Sequence, residues 1–206
     1  MTSIGPYVGK LKRQLQTREE QESPFNAARI EEACGRAGHT WRACFWTPAV
    51  TVLTFLRQVL HGNCSCRQAV AMTLAQAISQ ELAQGGDPSD PISGEPGAYS
   101  QARQHLPLSV FEEVNQSVIA TSRHEVGQER LWCGRRVAVV DGSSVSTPDT
   151  PELQKAFPQP KSQRKGCGFP VIRLVGLFCW SSGTLWKLLT DSLRVDELAM
   201  FRRMYD

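Results

Sequence analysis

The hydrophobic pattern of this chain changes period once, and that change limits the folds open to it. Up to about residue 130 apolar residues recur at three- and four-residue steps, the spacing of one helix face; from Arg135 they gather into short β-prone runs. A run of helices followed by a run of strands argues for an α+β architecture rather than for alternating βαβ units. A length of 206 residues accommodates one full domain, or one plus part of a second. The expected organisation is a mobile or loosely helical lead segment over 1–40, a helical domain over 41–130 and a strand-bearing domain over 131–206.

Local signals place the helices. Thr47 suits an N-cap and Pro48 the first helical position, where the missing N–H costs nothing. Ala49, Val52, Leu53, Leu56, Val59 and Leu60 continue the stripe, and Gly62-Asn63 ends it. Ser65 with Gln68 has capping-box form and opens a helix carrying Val70, Leu74, Ala77, Ile78 and Leu82. Residues 85–97, rich in Gly, Pro, Asp and Ser, read as an exposed loop. A short helix around Tyr99 to His105 should stop before Pro107, and Ser109 with Glu112 repeats the capping-box pattern ahead of Phe111, Val114 and Val118. The pair 47–61 and 65–84, joined by a short turn at Gly62, has the outline of a helix-turn-helix unit. With Arg67 but mostly Gln and Ala on its polar side, the second helix reads better as one of two packed structural helices.

Beyond residue 135, Val137 to Val140 reads as a strand buried on both faces, closed by Asp141-Gly142-Ser143-Ser144. Val171 to Trp180 and Thr184 to Leu189 suit a hairpin, and a last helix begins near Val195 with Asp196 and Glu197 in its first turn. A third strand with nothing beyond it leaves an unpaired edge, which invites pairing with another chain.

Composition removes several classes of function. Lys plus Arg is 23 against 20 Asp plus Glu, so a net charge of +3 supplies no polyanion-binding tail. No apolar run approaches the ~18–20 residues that span a bilayer; the longest, Phe45 to Leu60, contains Pro48 and Arg57. The N-terminus has early basic residues but no apolar segment after them, so it does not read as a secretory signal. Seven cysteines at irregular spacing, without Cys-x-x-Cys, fit neither a disulfide framework nor a four-ligand zinc site, and read as reduced thiols of a cytoplasmic chain.

Asp141 is the first residue with a chemical claim. A carboxylate at a strand end beside a glycine suits a hard cation, and equally suits a turn cap in an Asp-Gly turn. Downstream, residues 154–189 contain no Asp or Glu but carry Lys155, Lys161, Arg164, Lys165, Arg173 and Lys187, a formal +6 in a chain of +3. Lys161, Arg164, Lys165 and Arg173 are the candidate phosphate contacts, positioning DNA without reading its sequence. A metal-ready Asp beside an acid-free basic strip is more specific than either alone and points to chemistry on a phosphodiester. Asp149-Thr150-Pro151-Glu152 reads as a helix start, and Asp191, Asp196 and Glu197 flank the last helix without a motif of their own.

The run from Val137 to Phe178 resembles bacterial DDE transposases of the insertion-element-four family. The resemblance rests on Val140-Asp141-Gly142-Ser143, Pro148-Asp149-Thr150-Pro151-Glu152, Phe157-Pro158-Gln159-Pro160 and Gly166-Cys167-Gly168-Phe169-Pro170 leading into an apolar strand. Upstream, Leu60-His61-Gly62-Asn63, Ala98-Tyr99-Ser100-Gln101-Ala102-Arg103 and Leu106-Pro107 are similar to that family's N-terminal region, so the likeness covers roughly residues 38–206.

The resemblance implies an incomplete ribonuclease-H-like catalytic domain behind the helical one, with its first three strands and first helix. It implies DNA transposition by Mg²⁺-dependent phosphodiester hydrolysis and strand transfer, and assigns Asp141 as the first of three acidic, metal-holding residues. The other two, expected in Asp-Arg-Gly and Tyr-x-x-Arg…Glu contexts, have no counterpart in the sequence. The expectation is therefore an N-terminal portion of a transposase that binds Mg²⁺ weakly or not at all and is inactive alone. The rival expectation is a truncated DNA-binding or subunit-binding regulator, or a relic, without catalysis. Double-stranded DNA, a second copy of the chain or a full-length transposase are the partners this implies, with no membrane.

Overall fold

The structure is a computed structural model that describes residues 25–42, 44–83, 94–125, 127–159, 164 and 168–205. The expected lead segment up to residue 24, most of the 85–97 loop, Lys161, Lys165 and Cys167 lie outside the described residues. Among those described, the fold is α+β: seven α-helices and one three-stranded antiparallel sheet. The helices are α1 (Ala27–Arg36), α2 (Pro48–Leu60), α3 (Cys66–Ala83), α4 (Pro96–His105), α5 (Leu108–Glu125), α6 (Pro151–Ala156) and α7 (Glu197–Arg202). The strands are β1 (Ala138–Ser146), β2 (Val171–Cys179) and β3 (Leu185–Ser192), with β2 central. The chain forms two compact units that divide at Val118/Ile119, inside α5 and upstream of the change of period.

Local chemistry sets the helix ends. The Thr47 hydroxyl accepts the Val50 N–H at 3.3 Å with Pro48 in the first turn, and Ser65 Oγ accepts the Gln68 N–H at 3.2 Å. Gly62 and Asn63 leave α2 with φ of +76° and +56°, the left-handed region that favours these two residues. The Ser109–Glu112 pattern does not mark the start of α5. The helix begins at Leu108, and the Val110 N–H bonds the Pro107 carbonyl at 3.1 Å, so Ser109 already lies in the first turn.

The first unit is built around two apolar clusters. Ile30, Ala33 and Cys34 of α1 pack with Ala49 and Val52 of α2 and Val110 and Val114 of α5. Residues 27–36 are therefore part of the core rather than a loose lead. Their stripe is short and built from small side chains, and it buries itself only because α2 and α5 offer complementary apolar faces. The second cluster joins Ala69 and Val70 of α3 to Tyr99 of α4. Gln58 of α2 ties these helices together: its Oε1 accepts from Tyr99 Oη at 2.9 Å and Arg103 Nη1 at 3.2 Å, while its Nε2 donates to the Cys64 carbonyl at 2.8 Å. Arg103 also lies over the Phe55 ring, 4.8 Å from its centre. The Tyr99…Arg103 motif thus has an internal, structural use.

Between α2 and α3 a buried polar contact, Thr54 Oγ1 to Thr73 Oγ1 at 2.9 Å, joins the two helices. Thr54→Val is expected to destabilise the unit by about 1–3 kcal/mol, because the Thr73 hydroxyl then stays buried without its partner. Thr54→Val with Thr73→Val should recover most of that loss. Equal denaturation midpoints for the single and double variants would contradict the account.

In the second unit, α7 covers one face of the sheet. Val175 and Leu177 of β2 pack with Met200 and Met204, with Trp186, Leu189, Val195 and Phe201 around them. The Asp196 carboxylate caps α7 by accepting the Ala199 N–H at 2.8 Å, and Lys187 Nζ donates to the Met204 carbonyl. β1 corrects the sequence expectation. It is nine residues long, runs through Asp141-Gly142 to Ser146, and lies at an edge with Val140 and Val145 exposed. Its length is set by its partner, because all nine residues of β1 pair with the nine of β2.

Candidate functional site

Asp141 is held in mid-strand, directly across from Gly176. Residues opposite one another in an antiparallel pair share a face, and neighbours along a strand alternate. Gly142 lies across from Val175, on the face that α7 covers. Asp141 therefore projects from the other face, where it is exposed. Gly176 is buried beside it because Phe178 leans back over that position; a Cβ on Gly176 would meet the ring at 2.6 Å.

The other nearby carboxylates are engaged elsewhere. The Glu197 carboxylate sits against Gly142, on the opposite face of the sheet from Asp141. Asp191 is 2.7 Å from Arg203 Nη2 and accepts the Ser192 N–H; the hydrogen bond from Arg203 holds its carboxyl below the usual carboxylate range. Asp149 Oδ1 accepts from Gln154 Nε2 at 2.8 Å, and Thr150, not Asp149, caps α6 by accepting the Leu153 N–H at 3.3 Å. Among the described residues no group of three or more His, Cys, Asp or Glu side chains converges as a metal site. One exposed carboxylate does not fit a two-Mg²⁺ centre, which needs several shared oxygen ligands in fixed geometry. The six described cysteines are free thiols.

The candidate phosphate contacts divide. Arg164 is exposed, between residues outside the described set. Arg173 lies in β2 opposite Ser144 and Asp191, and its Nη1 donates to the Val195 carbonyl at 3.1 Å. That bond places its guanidinium on the face that α7 covers, supporting the turn that leads into the helix.

One cluster escaped the sequence reading. Trp132 and Trp180, 70% and 68% exposed, stand on segments joined at one end of the sheet. The signal in the sequence is the clustering of Arg130, Arg135 and Arg136 around Trp132. Trp132 and Arg135 exchange both backbone hydrogen bonds, at 3.0 and 2.9 Å, around a two-residue turn. Both central residues, Cys133 and Gly134, have positive φ, +50° and +72°. For Cys133 that conformation costs about 1–2 kcal/mol.

No family model matches the chain, and no solved structure matches it. The chain is 32% identical over 80 residues to the transposase InsG for insertion sequence element IS4 of Escherichia coli (strain K12). That stretch is 39% of this chain and 18% of the length of InsG. No helix among the described residues is long and apolar enough to cross a membrane. The chain is thus related in sequence to a transposase.

Proposed function

We propose that this chain acts in DNA transposition as part of a DDE-type transposase of the insertion-element-four family, with its second unit the beginning of a ribonuclease-H-like domain. The similarity to a transposase carries the reading; an exposed Asp141 on the first strand of an antiparallel sheet supports it. In this reading Asp141 is the first carboxylate of a Mg²⁺ centre whose other ligands would come from the acidic motifs that this sequence lacks. What the described residues themselves supply is the position of Asp141, fixed by the nine ladder pairs of β1 with β2. The compartment is the cytoplasm, and the partner is double-stranded DNA.

Phosphate contact falls to the acid-free strip, through Lys161, Arg164 and Lys165; Arg173, bonded to the Val195 carbonyl, holds the turn before α7 instead. Replacing Lys161, Arg164 and Lys165 together by Ala should weaken duplex binding for all sequences alike. It should also flatten the dependence of log affinity on log salt by about 0.9 for each phosphate no longer neutralised. Binding isotherms over a salt series test this, and an unchanged slope removes the loop from the interface.

A further inference from the structure

The Trp132/Trp180 end of the sheet has a use that the basic strip does not cover. Trp132 and Arg135 are a bridged pair, so their side chains leave the turn on the same side. The turn segment is docked on the β2–β3 hairpin at two points: Ser181 Oγ donates to the Arg130 carbonyl at 2.8 Å, and the Trp180 N–H to the Val137 carbonyl at 2.9 Å. Arg136 Nη2 reaches the Arg123 carbonyl at 3.0 Å, which secures the segment to the end of α5. These three hydrogen bonds hold the backbone that carries both indoles. From 129 to 136 the segment holds three arginines and one acid, Glu129, and Arg130, Arg135 and Arg136 are all exposed.

Large exposed indoles on a hydrogen-bonded segment present flat apolar surface, and a positive surround favours an anionic partner. Exposed indoles on a segment rich in arginine suit unpaired bases joined by phosphates. Stacking tolerates any base, and the arginines neutralise the backbone. A duplex keeps its bases stacked on one another and offers such a surface only phosphates. We propose that Trp132 and Trp180, with Arg130 and Arg135, form a stacking platform for unpaired DNA bases, such as those of a frayed or nicked end. This deepens the transposition reading by adding a single-strand contact to the duplex contact proposed for Lys161, Arg164 and Lys165.

Fluorescence anisotropy of the whole chain with three labelled DNAs tests it: an oligo(dT) strand, a forked duplex with unpaired tails and a blunt duplex of equal length. The wild type is expected to bind the strand and the fork more tightly than the blunt duplex. Trp132→Ala and Trp180→Ala should each weaken strand and fork binding by about tenfold and leave the blunt duplex nearly unchanged. Trp132→Phe should keep most of the affinity, which separates loss of a ring from loss of the fold. Arg135→Ala should lower the salt slope on the strand by about 0.7, the share of a single phosphate. Equal losses on all three DNAs, or a strand no tighter than the blunt duplex, overturn the platform. So does saturable binding to anionic phosphatidylserine vesicles without strand binding, which would assign the surface to lipid. Strand binding through Trp132 with no response of duplex binding to the Lys161, Arg164 and Lys165 substitutions keeps the platform and rejects the loop.

Discussion

Asp141→Asn is expected to reduce DNA cleavage and joining by at least about a hundredfold in a chain extended through the acidic motifs that the family resemblance implies. Duplex affinity should change little. The substitution keeps the size of the side chain and removes its charge, and a metal-bridging oxygen without charge no longer holds a divalent cation against water. Asp141 is exposed, so its replacement leaves the core untouched. The 206-residue chain alone, with Mg²⁺ or Mn²⁺, should leave end-containing DNA intact, because no three ligating side chains converge among its described residues. Specific nicking by the chain alone, lost in Asp141→Ala, would mean that it or an assembly of it completes a metal site. Undiminished activity of Asp141→Asn in the extended chain would end the assignment of Asp141.

The second large effect is on stability. Ile30→Ala should cost the helical unit about 2–5 kcal/mol, through reduced apolar burial and the cavity left among Val52, Val110 and Val114. For a unit of this size that lowers Tm by roughly 10 °C or more. Leu108→Ala, at a position 72% exposed, should stay within about 0.5 kcal/mol of the parent. Thermal melts that fail to separate the two variants would return residues 27–36 to the status of a loose lead.

What the sequence determined by itself is local. The starts of α2 and α6 were legible because Thr47 and Thr150, each followed by proline, accept N–H groups only three residues ahead, with nothing required of the rest of the chain; α7 starts at Glu197, with Asp196 as its cap rather than in its first turn. The start of β2 at Val171 and the turn at Gly183, φ +72°, were legible from local signals as well. The order of helices before strands followed from the period of the apolar residues, and so did the α+β class.

Contacts between distant residues decided the rest. Whether Ile30 and Cys34 are core depends on Val110, eighty residues away, and nothing near α1 encodes that meeting. The apolar run before Asp141 suggested a short, doubly buried strand. The pairing with β2 carries it on through Ser146, and its edge position leaves it exposed. Asp141 was legible as a residue, but its face was not: the register with Gly176, and the seating of α7 over Val175, put it on the side away from Glu197. Trp132 and Trp180 stand forty-eight residues apart and share one end of the sheet only through the Ser181–Arg130 and Trp180–Val137 hydrogen bonds. Caps and periods act over a turn or two of chain and can be read along it. Faces, edges and patches are set by which distant surfaces exclude water from each other, and only the tertiary structure settles that.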